Sequence, residues 1–483
     1  MTDIGDQGLF ELASTCIGEA HELVRAREAL DAWIPSVSQY PSLSQFDFGW
    51  PNISHSVLGS NVPHYSGLFG PVKSDMLPFA YSDIAHMEEL VGFARTHERL
   101  ADYYSLPIDG ETADRLFRMQ VADIVVDVLD RALHLYGDEF SDDQLREVYA
   151  EFEMGVLVEP LPVAIVVPVA LTPFDFDGRV EISEGLGLER MSDEWQLARA
   201  PKGQQHGEGA GASPVVVGAA THALVLDHWE LPNRKGFSNL QTHRLGFYPL
   251  EEIERFFEAL RIVTGMQTGF AQISIRPIGW AHRWVAGLPA IFPGALGRRY
   301  PAWFDDWGWL RQPPAPISTE QVSEIAGVYD DLKHVGSKIG VASRRLSAAM
   351  LRDSEDDAII DLCIGLEAAL GDTSHAEITH KLALRTAAVV SASTSMDPQL
   401  VFKQVKGIYN VRSEVVHGKS GQRRWSVVGP DGDLPAITAA TELLRLVLAA
   451  LLERPEWRDP QRVDGLVLAG LAEQPESVPG SDA

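Results

Sequence analysis

Apolar residues recur at intervals of three and four along the first part of the chain, which is the pattern of helices with one buried face. Ser82 opens the second such stretch and Thr112 precedes the third, so we expect these two residues as N-caps. The intervening residues 36–78 are rich in Ser, Pro, Gly and aromatic residues, and we expect a long loop there with a functional or lid role. A helical N-terminal region is thus predicted over residues 1–155, with helices at 8–33, 82–104 and 113–137.

The pattern changes to that of strands after about residue 155. Residues 163–183 and 214–231 are rich in β-branched residues and are predicted as strands. One amphipathic helix is expected over 249–265, and the aromatic and then proline-rich segment 300–316 is typical of a domain boundary. We therefore expect a β-rich sensing or regulatory region over residues 156–316.

Helical periodicity returns in the last third of the chain. We predict a helical domain over residues 317–460 and a disordered tail over 461–483, because the last residues are polar and rich in Pro and Gly. A helical region, a β-rich region and a second helical region in succession predict an α+β protein. The helices expected in the last domain lie at 319–350, 355–371, 375–392, 398–417 and 434–454.

Composition narrows the class of protein. A length of 483 residues suggests two or three domains, and 45% hydrophobic with 22% charged residues is ordinary for a globular protein. The two cysteines, Cys16 and Cys363, are far apart and predict neither a disulfide framework nor a zinc site. We also expect no metal and no cofactor. The sequence has no apolar run of membrane-spanning length, and because its first residues lack a basic and then an apolar segment we expect no secretory signal. A cytoplasmic location without a membrane partner is therefore expected.

The charge of the chain is strongly negative but unevenly distributed. A formal net charge of −28 argues against a protein whose whole surface binds nucleic acid. Residues 381–424 are the exception, with eight basic and two acidic residues and hence a net charge of +6. This segment is a candidate anion-binding site, and a solvated helix face is the alternative.

The predicted helix 398–417 carries an arginine within its apolar stripe. On a wheel of about 100° per residue, Arg412 falls in the middle of that stripe, where a guanidinium needs a carboxylate, phosphate or carbonyl partner. His417 falls off the stripe, but Gly418 after it can adopt the left-handed conformation that ends a helix. The structural alternative is that Arg412 pairs with Glu367 of a neighbouring helix and that His417 only caps the helix C-terminus.

Three elements in order carry a resemblance to a known superfamily: IIDLCIGLEAALGD, EITHKLALRTAAVV and IYNVRSEVVHG. With them, the stretch from about residue 340 to 418 resembles the HEPN superfamily, specifically the Apea-like HEPN domains of prokaryotic proteins. HEPN ribonucleases carry an arginine, four to six intervening residues and a histidine. The matching pair in this sequence is Arg412 and His417.

The resemblance implies a helical bundle that pairs with a second copy, so that two Arg–His motifs face one cleft and cleave RNA without a metal. The RNA 2′-hydroxyl would attack the adjacent phosphorus, with His417 moving protons and Arg412 stabilising the phosphorane charge. The products would be a 2′,3′-cyclic phosphate and a 5′-hydroxyl. Ser413 would contact the phosphate or orient His417, although many family members have Asn, Asp or His at its position.

Other residues of the segment are candidates for supporting roles. Lys381 and Arg385, four residues apart on one predicted helix, would form a phosphate track, or else a solvated face. Tyr409 would stack on a base or donate a hydrogen bond, or else pack in the core. Lys419 is a further candidate for substrate binding, and Glu367 and Gly418 are expected in orienting and structural roles.

The implied partners are an RNA substrate, a second copy of the chain and a phage-derived or cellular trigger acting on the N-terminal regions. The expected role is therefore antiviral defence by abortive infection, or a toxin-like arrest of growth. Two alternatives remain. One is a non-catalytic HEPN module that binds RNA, a nucleotide or a protein partner, and the other is a dimerisation bundle in which Arg412 and Glu367 form an internal ion pair.

Overall fold

The structure of the chain is a computed structural model. It describes residues 4–38, 40–55, 60–104, 108–200, 211–233, 239–306, 309, 314–372, 377–418 and 425–472. The protein is α+β, which confirms the prediction made from the order of helical and strand patterns along the chain. The α-helices are α1 (Gln7–Glu28), α2 (Met87–Thr96), α3 (Glu98–Tyr104), α4 (Glu111–Tyr136), α5 (Asp142–Leu157), α6 (Asp193–Arg199), α7 (Pro214–Gly218), α8 (Asn239–Thr242), α9 (Leu250–Thr264), α10 (Thr319–His334), α11 (Ser337–Leu351), α12 (Glu355–Leu370), α13 (Ile378–Ser393), α14 (Pro398–Val416), α15 (Ala436–Glu453) and α16 (Pro460–Ala472).

The strands pair in several sheets. They are β1 (Pro41–Gln45), β2 (Pro51–His55), β3 (Phe69–Gly70), β4 (Phe79–Ala80), β5 (Leu161–Pro168), β6 (Arg179–Ser183), β7 (Leu186–Arg190), β8 (His222–Leu231), β9 (Phe270–Pro277), β10 (Phe292–Arg299), β11 (Ser426–Gly429) and β12 (Gly432–Pro435).

The chain folds into two compact units, each assembled from separated segments. The expected β-rich region 156–316 is divided between them, because α9 packs against α10, α11 and α15 of the second unit. The first unit comprises Met1–Val169, Gly185–Tyr248 and Phe270–Arg298, and the second comprises Ala170–Glu184, Pro249–Gly269 and Arg299–Ala483.

The first unit contains a core of helices α1, α2, α4 and α5. Buried residues such as Ile17, Leu90, Val125 and Tyr149 form one contiguous cluster, which is the apolar face that the three-and-four spacing predicts. Helix α5 was not predicted from its apolar pattern. Its N-terminus is marked by a capping box in which the side chains of Ser141 and Gln144 each accept a backbone N–H.

Two helices of this unit begin at residues other than those predicted. Ser82 lies in a short 3-10 turn closed by the side chain of Asp83, and α2 begins only after His86. Thr112 is the second residue of α4 rather than its N-cap, because Gly110 takes the cap position with a φ of +84°. Both predicted N-caps are wrong, since the turns that precede the helices decide where they begin.

Five strands of the first unit are neighbours in one sheet, in the order β10-β9-β5-β8-β7, and the pairs β5–β9, β5–β8 and β7–β8 are antiparallel. Strand β5 pairs with β8 on one side and β9 on the other, with Ile165 opposite Leu226 and Ile275. Its nearly continuous apolar run reflects this central position, because both faces of the strand are buried. Residues 214–218, predicted as strand, instead form helix α7, and β8 begins at His222.

The segment 36–78 is not wholly irregular, contrary to the prediction of one long loop. It contains the antiparallel hairpin of β1 and β2, in which Leu43 lies opposite Ile53, and it also contains β3. Ser42 and Ser54 share a hydrogen bond of 2.8 Å across the hairpin. The alternation of polar and apolar residues in these short strands was masked by the surrounding Ser, Pro and Gly.

The second unit is a helical bundle around α15. This helix packs against α11, α12, α13 and α14, and apolar residues such as Leu444 and Leu448 are fully buried. The predicted helix 319–350 is two helices, because Val335 is extended and Gly336 caps α11. The expected disordered tail is wrong for residues 461–472, which belong to α16. Its Val463 is fully buried, and residues 473–483 lie outside the described part of the chain.

Candidate functional site

Helix α14 positions the residues that the sequence singled out. Asp397 caps its N-terminus by accepting the N–H groups of Gln399 and Leu400, and Pro398 occupies the first turn. At the other end the His417 N–H donates to the Ser413 carbonyl at 3.1 Å, and Gly418 has a φ of +73°. The prediction that Gly418 ends the helix in the left-handed conformation is confirmed.

Arg412 lies beside the carboxylate that was named as its structural partner. Its Nη2 is 3.7 Å from Glu367 Oε1, with 35% of the arginine side chain and 26% of the glutamate side chain exposed. The Nε atom is buried and has no hydrogen-bond partner among the described residues. The ion pair of the structural alternative is therefore present, but it leaves part of the guanidinium unsatisfied.

Tyr409 supports this carboxylate from within the core. The tyrosine is buried, and its hydroxyl donates toward Glu367 Oε1 at 3.3 Å and toward the Cys363 carbonyl at 3.4 Å. Burial raises the pKa of Tyr409, and the Cys363 and Glu367 groups add to that rise, so the hydroxyl remains a donor. Tyr409 orients Glu367, and its buried ring is not placed to stack on a base, which corrects the substrate-binding role expected for it.

His417 and Ser413 are both exposed at the C-terminal end of α14. Helix geometry separates the Cα atoms of Arg412 and His417 by about 8–9 Å and turns their directions apart by about 140°. The two side chains of one copy therefore leave the helix on different sides. A cleft shared by two copies would be one way to bring an arginine and a histidine to the same phosphate.

The structure contradicts the expected phosphate-binding role of Arg385, one of the two residues of the track predicted on α13. Arg385 is 4% exposed and donates to Asp464 at 2.7 and 2.8 Å, to Asp372 at 2.9 Å and to the Leu370 carbonyl at 2.9 Å. Its guanidinium is thus used inside the fold to hold α16 and the end of α12. Lys381 is part-buried with its Nζ 3.6 Å from Asp372 Oδ2. Lys419 lies outside the described residues.

The thiol of Cys363 lies close to the Arg412–Glu367 pair but is not reactive in the fold. Cys363 is buried behind Tyr409, and burial raises the pKa of its thiol to about 12. A thiol held protonated in this way is a poor nucleophile and a poor metal ligand. Within the described ranges, no group of three or more His, Cys, Asp or Glu side chains is arranged to hold a metal ion.

A cavity in the first unit was not anticipated from the sequence. Its volume is about 360 Å³, and α4 contributes Asp123, Asp127 and Asp130 to its lining. Burial, and next the charge of Asp123, raises the pKa of Asp127 to about 7. Asp130 serves the fold by accepting the N–H of Tyr65 at 2.6 Å. The signal available in the sequence was the spacing of three carboxylates by four and three residues within the otherwise apolar stretch 121–130 of α4.

Comparison of the chain with protein-family models, with curated proteins and with solved structures finds no match. Among the residues that the structure describes, no helix has an apolar run long enough to cross a lipid bilayer.

Proposed function

We propose that the helical bundle of the second unit is a HEPN-like, metal-independent endoribonuclease that acts as a dimer. The observation that carries the proposal is the state of Arg412, whose guanidinium is only loosely paired with Glu367 at 3.7 Å and whose side chain is 35% exposed. It lies less than two helical turns before the exposed His417. A cation with spare hydrogen-bonding capacity suits a phosphoryl oxygen, and an accessible imidazole suits proton transfer near neutral pH.

In the proposed reaction the RNA 2′-oxygen forms a bond to the adjacent phosphorus and the bond to the 5′-oxygen breaks. A histidine accepts the proton of the 2′-hydroxyl, and an acid returns a proton to the departing 5′-oxygen. Arg412 stabilises the extra negative charge on the phosphoryl oxygens of the transition state. The products are a 2′,3′-cyclic phosphate and a 5′-hydroxyl, and no oxidant or other reactant is needed.

The divergence of the two side chains supports a shared site. Because Arg412 and His417 of one copy point about 140° apart, a second copy can supply the group that the first cannot bring to the phosphate. The exposed end of α14 also carries Val416, which is 62% exposed, so apolar surface is available for contact beside His417. A homodimer through this end of the bundle is therefore part of the proposal.

The first unit would recognise a phage-derived or cellular trigger and hold the nuclease in check until the trigger binds. Such control fits an antiviral or toxin-like role, because unrestrained RNA cleavage would harm the cell. Free, buried cysteines in both units suit the reducing cytoplasm as the place of action.

The test uses the full-length protein in cells, where any trigger is available. Wild type and His417→Ala are expressed in parallel, and RNA 5′-hydroxyl ends are sequenced. New ends are expected with wild type and at least a hundredfold fewer with His417→Ala, since general acid–base catalysis contributes about 10²–10⁴ in rate. His334→Ala is the matched control, because His334 is also exposed in the last turn of a helix of the same unit. Equal numbers of ends in wild type and His417→Ala would refute the proposal.

A second candidate function is favoured by the Arg412–Glu367 contact itself. If that pair is purely structural, the bundle would be a non-catalytic module that binds RNA, a nucleotide or a protein partner. In that case Arg412→Ala would unfold the bundle, His417→Ala would have no effect, and purified protein in EDTA would leave RNA intact. Circular dichroism of both variants, measured beside the cleavage assay, separates the two candidates.

A further inference from the structure

The exposed face of α14 carries a regular row of polar side chains. Residues at successive intervals of three and four are all exposed, and on a wheel of about 100° per residue they fall within about 80° of one another. The row ends at the histidine of the proposed site. We call it the α14 row, and its members are Lys403, Lys406, Asn410, Ser413 and His417.

The α14 row contains donors and cations but no carboxylate. In the described part of the chain, none of its five side chains forms a hydrogen bond or an ion pair within the protein. Lys406 Nζ lies 5.6 Å from the centre of the Phe402 ring, which places the ammonium at the surface beside an aromatic face. In a chain with a net charge of −28, an exposed helix face with two unpaired lysines is complementary to a polyanion.

A shallow recess flanks the row on the side of α13. It is lined by Lys406 together with His380 and Thr379, and by Glu377 as its acidic member. His380 is exposed and contacts the Phe402 ring edge-on, with the ring centres 5.6 Å apart. The recess thus adds an imidazole and a hydroxyl to the donors near the middle of the row.

We infer that the phosphate backbone of a single-stranded RNA lies along the α14 row and is led by it to His417. This inference rests on the proposed function and names the surface that brings the substrate to the site. From Lys403 to His417 the row is about 21 Å long, at 1.5 Å per residue, which is enough for several nucleotides. The α14 row replaces the phosphate track expected on α13, because the guanidinium of Arg385 is already hydrogen-bonded to Asp372 and Asp464.

The composition of the row indicates how the RNA is held. Lysine, asparagine and serine side chains are common donors to phosphate oxygens, and such contacts position a strand without reading its sequence. The row has no aromatic side chain on which bases would stack. Binding should therefore depend strongly on salt and little on the base sequence.

The experiment measures binding of a short fluorescent 2′-O-methyl oligouridine to the full-length protein by anisotropy at several salt concentrations. The 2′-O-methyl groups prevent cleavage, so binding is observed apart from chemistry. Lys403→Ala/Lys406→Ala is expected to bind roughly 10–30-fold more weakly at 0.1 M salt. The slope of log affinity against log salt should fall by about 1.4, or about 0.7 for each phosphate that the variant no longer neutralises.

The control variant Lys333→Ala/Lys338→Ala removes the same charge from two exposed lysines of the same unit and should bind as wild type does. Lys403→Arg/Lys406→Arg keeps both charges and should have the affinity and slope of wild type. A weaker binding of the alanine variant is then due to the lost charge and not to misfolding. Wild-type affinity and slope in Lys403→Ala/Lys406→Ala would overturn the inference while leaving the proposed cleavage intact. A wild-type protein that neither binds the oligonucleotide nor produces 5′-hydroxyl ends in cells would overturn both.

Discussion

Arg412 and Tyr409 share one oxygen of Glu367, the arginine Nη2 at 3.7 Å and the tyrosine hydroxyl at 3.3 Å. The distance to the arginine exceeds that of a strong charge-assisted hydrogen bond, which is about 2.7–2.9 Å. The carboxylate is thus shared between a buried tyrosine and a half-exposed arginine. Arg412 is held close to its position but is not fully satisfied by the fold.

The loose pair predicts weak energetic coupling between Arg412 and Glu367. In a double-mutant cycle of Arg412→Ala and Glu367→Gln, the coupling free energy of unfolding should be below about 1 kcal/mol, as for exposed ion pairs. Cleavage should respond differently to the two changes. Arg412→Ala should reduce it at least a hundredfold, as does loss of one oxyanion donor, and Glu367→Gln less than tenfold. Urea unfolding followed by circular dichroism gives the coupling, and a value near 4 kcal/mol would instead support a structural ion pair.

Arg385 should matter for stability rather than for RNA. Arg385→Met removes the donor for the buried Leu370 carbonyl and leaves Asp372 and Asp464 without their partner, so we expect a loss of about 2–4 kcal/mol in the free energy of unfolding. Lys381→Met, four residues earlier on the same helix, should cost less than about 1 kcal/mol. Chemical denaturation of both variants tests this. A stable Arg385→Met protein that fails to bind the oligouridine would restore the phosphate track to α13.

Asp127 should make the first unit less stable as the pH rises. The pKa of Asp127 is about 7 in the folded protein, above the value of 3.8 expected when the group is exposed, so the fold favours the protonated acid. Ionising Asp127 in the folded protein lowers the free energy of unfolding. This loss is absent below about pH 4, grows between pH 4 and 7 and is complete above pH 7, where it amounts to at most about 4 kcal/mol.

Asp127→Asn should therefore reduce the decline in unfolding free energy between pH 4 and 7, because the amide carries no proton to lose. The control is Asp109→Asn, which changes an exposed carboxylate of the same unit and should leave the pH profile as it is in wild type. Denaturation at pH 5 and pH 8 provides the comparison. If Asp127→Asn is no more stabilising at pH 8 than at pH 5, Asp127 is ionised in the fold without penalty.

Gly418 should be needed for its backbone conformation alone. An added Cβ would meet no atom of the described structure within 4 Å, but φ is +73°, so Gly418→Ala should cost about 1 kcal/mol through strain. Gly327→Ala places the same methyl group in equally open space within α10, where helix propensity predicts a gain of about 0.5–1 kcal/mol. Opposite signs in thermal unfolding are expected. A neutral Gly418→Ala would show that the end of α14 readily adopts another conformation.

Most helices of the second unit were predicted from the sequence, because each buries one face in a single core and its apolar residues therefore repeat at helical spacing. The ends of α14 were also visible, since Asp397, Pro398 and Gly418 are local signals. Helix α16 was missed because, over the residues 460–468 whose side chains the structure describes, its contacts with the core are one fully buried valine and one ion pair rather than a long apolar stripe. The hairpin of β1 and β2 was hidden for a similar reason, as its strands are short and set among turn residues.

The sequence by itself determined where helices α12 to α15 form, where α14 ends and that Arg412 needs a partner, because these follow from periodicity and from the cost of burying a charge. Only the tertiary structure decided which basic side chains pair with carboxylates inside the fold and which remain exposed. Arg385 and Asp464 are 79 positions apart, and the fold joins them, whereas Lys403 and Lys406 remain exposed on α14. Side-chain pairing across such separations depends on the packing of whole helices, and no local pattern encodes it.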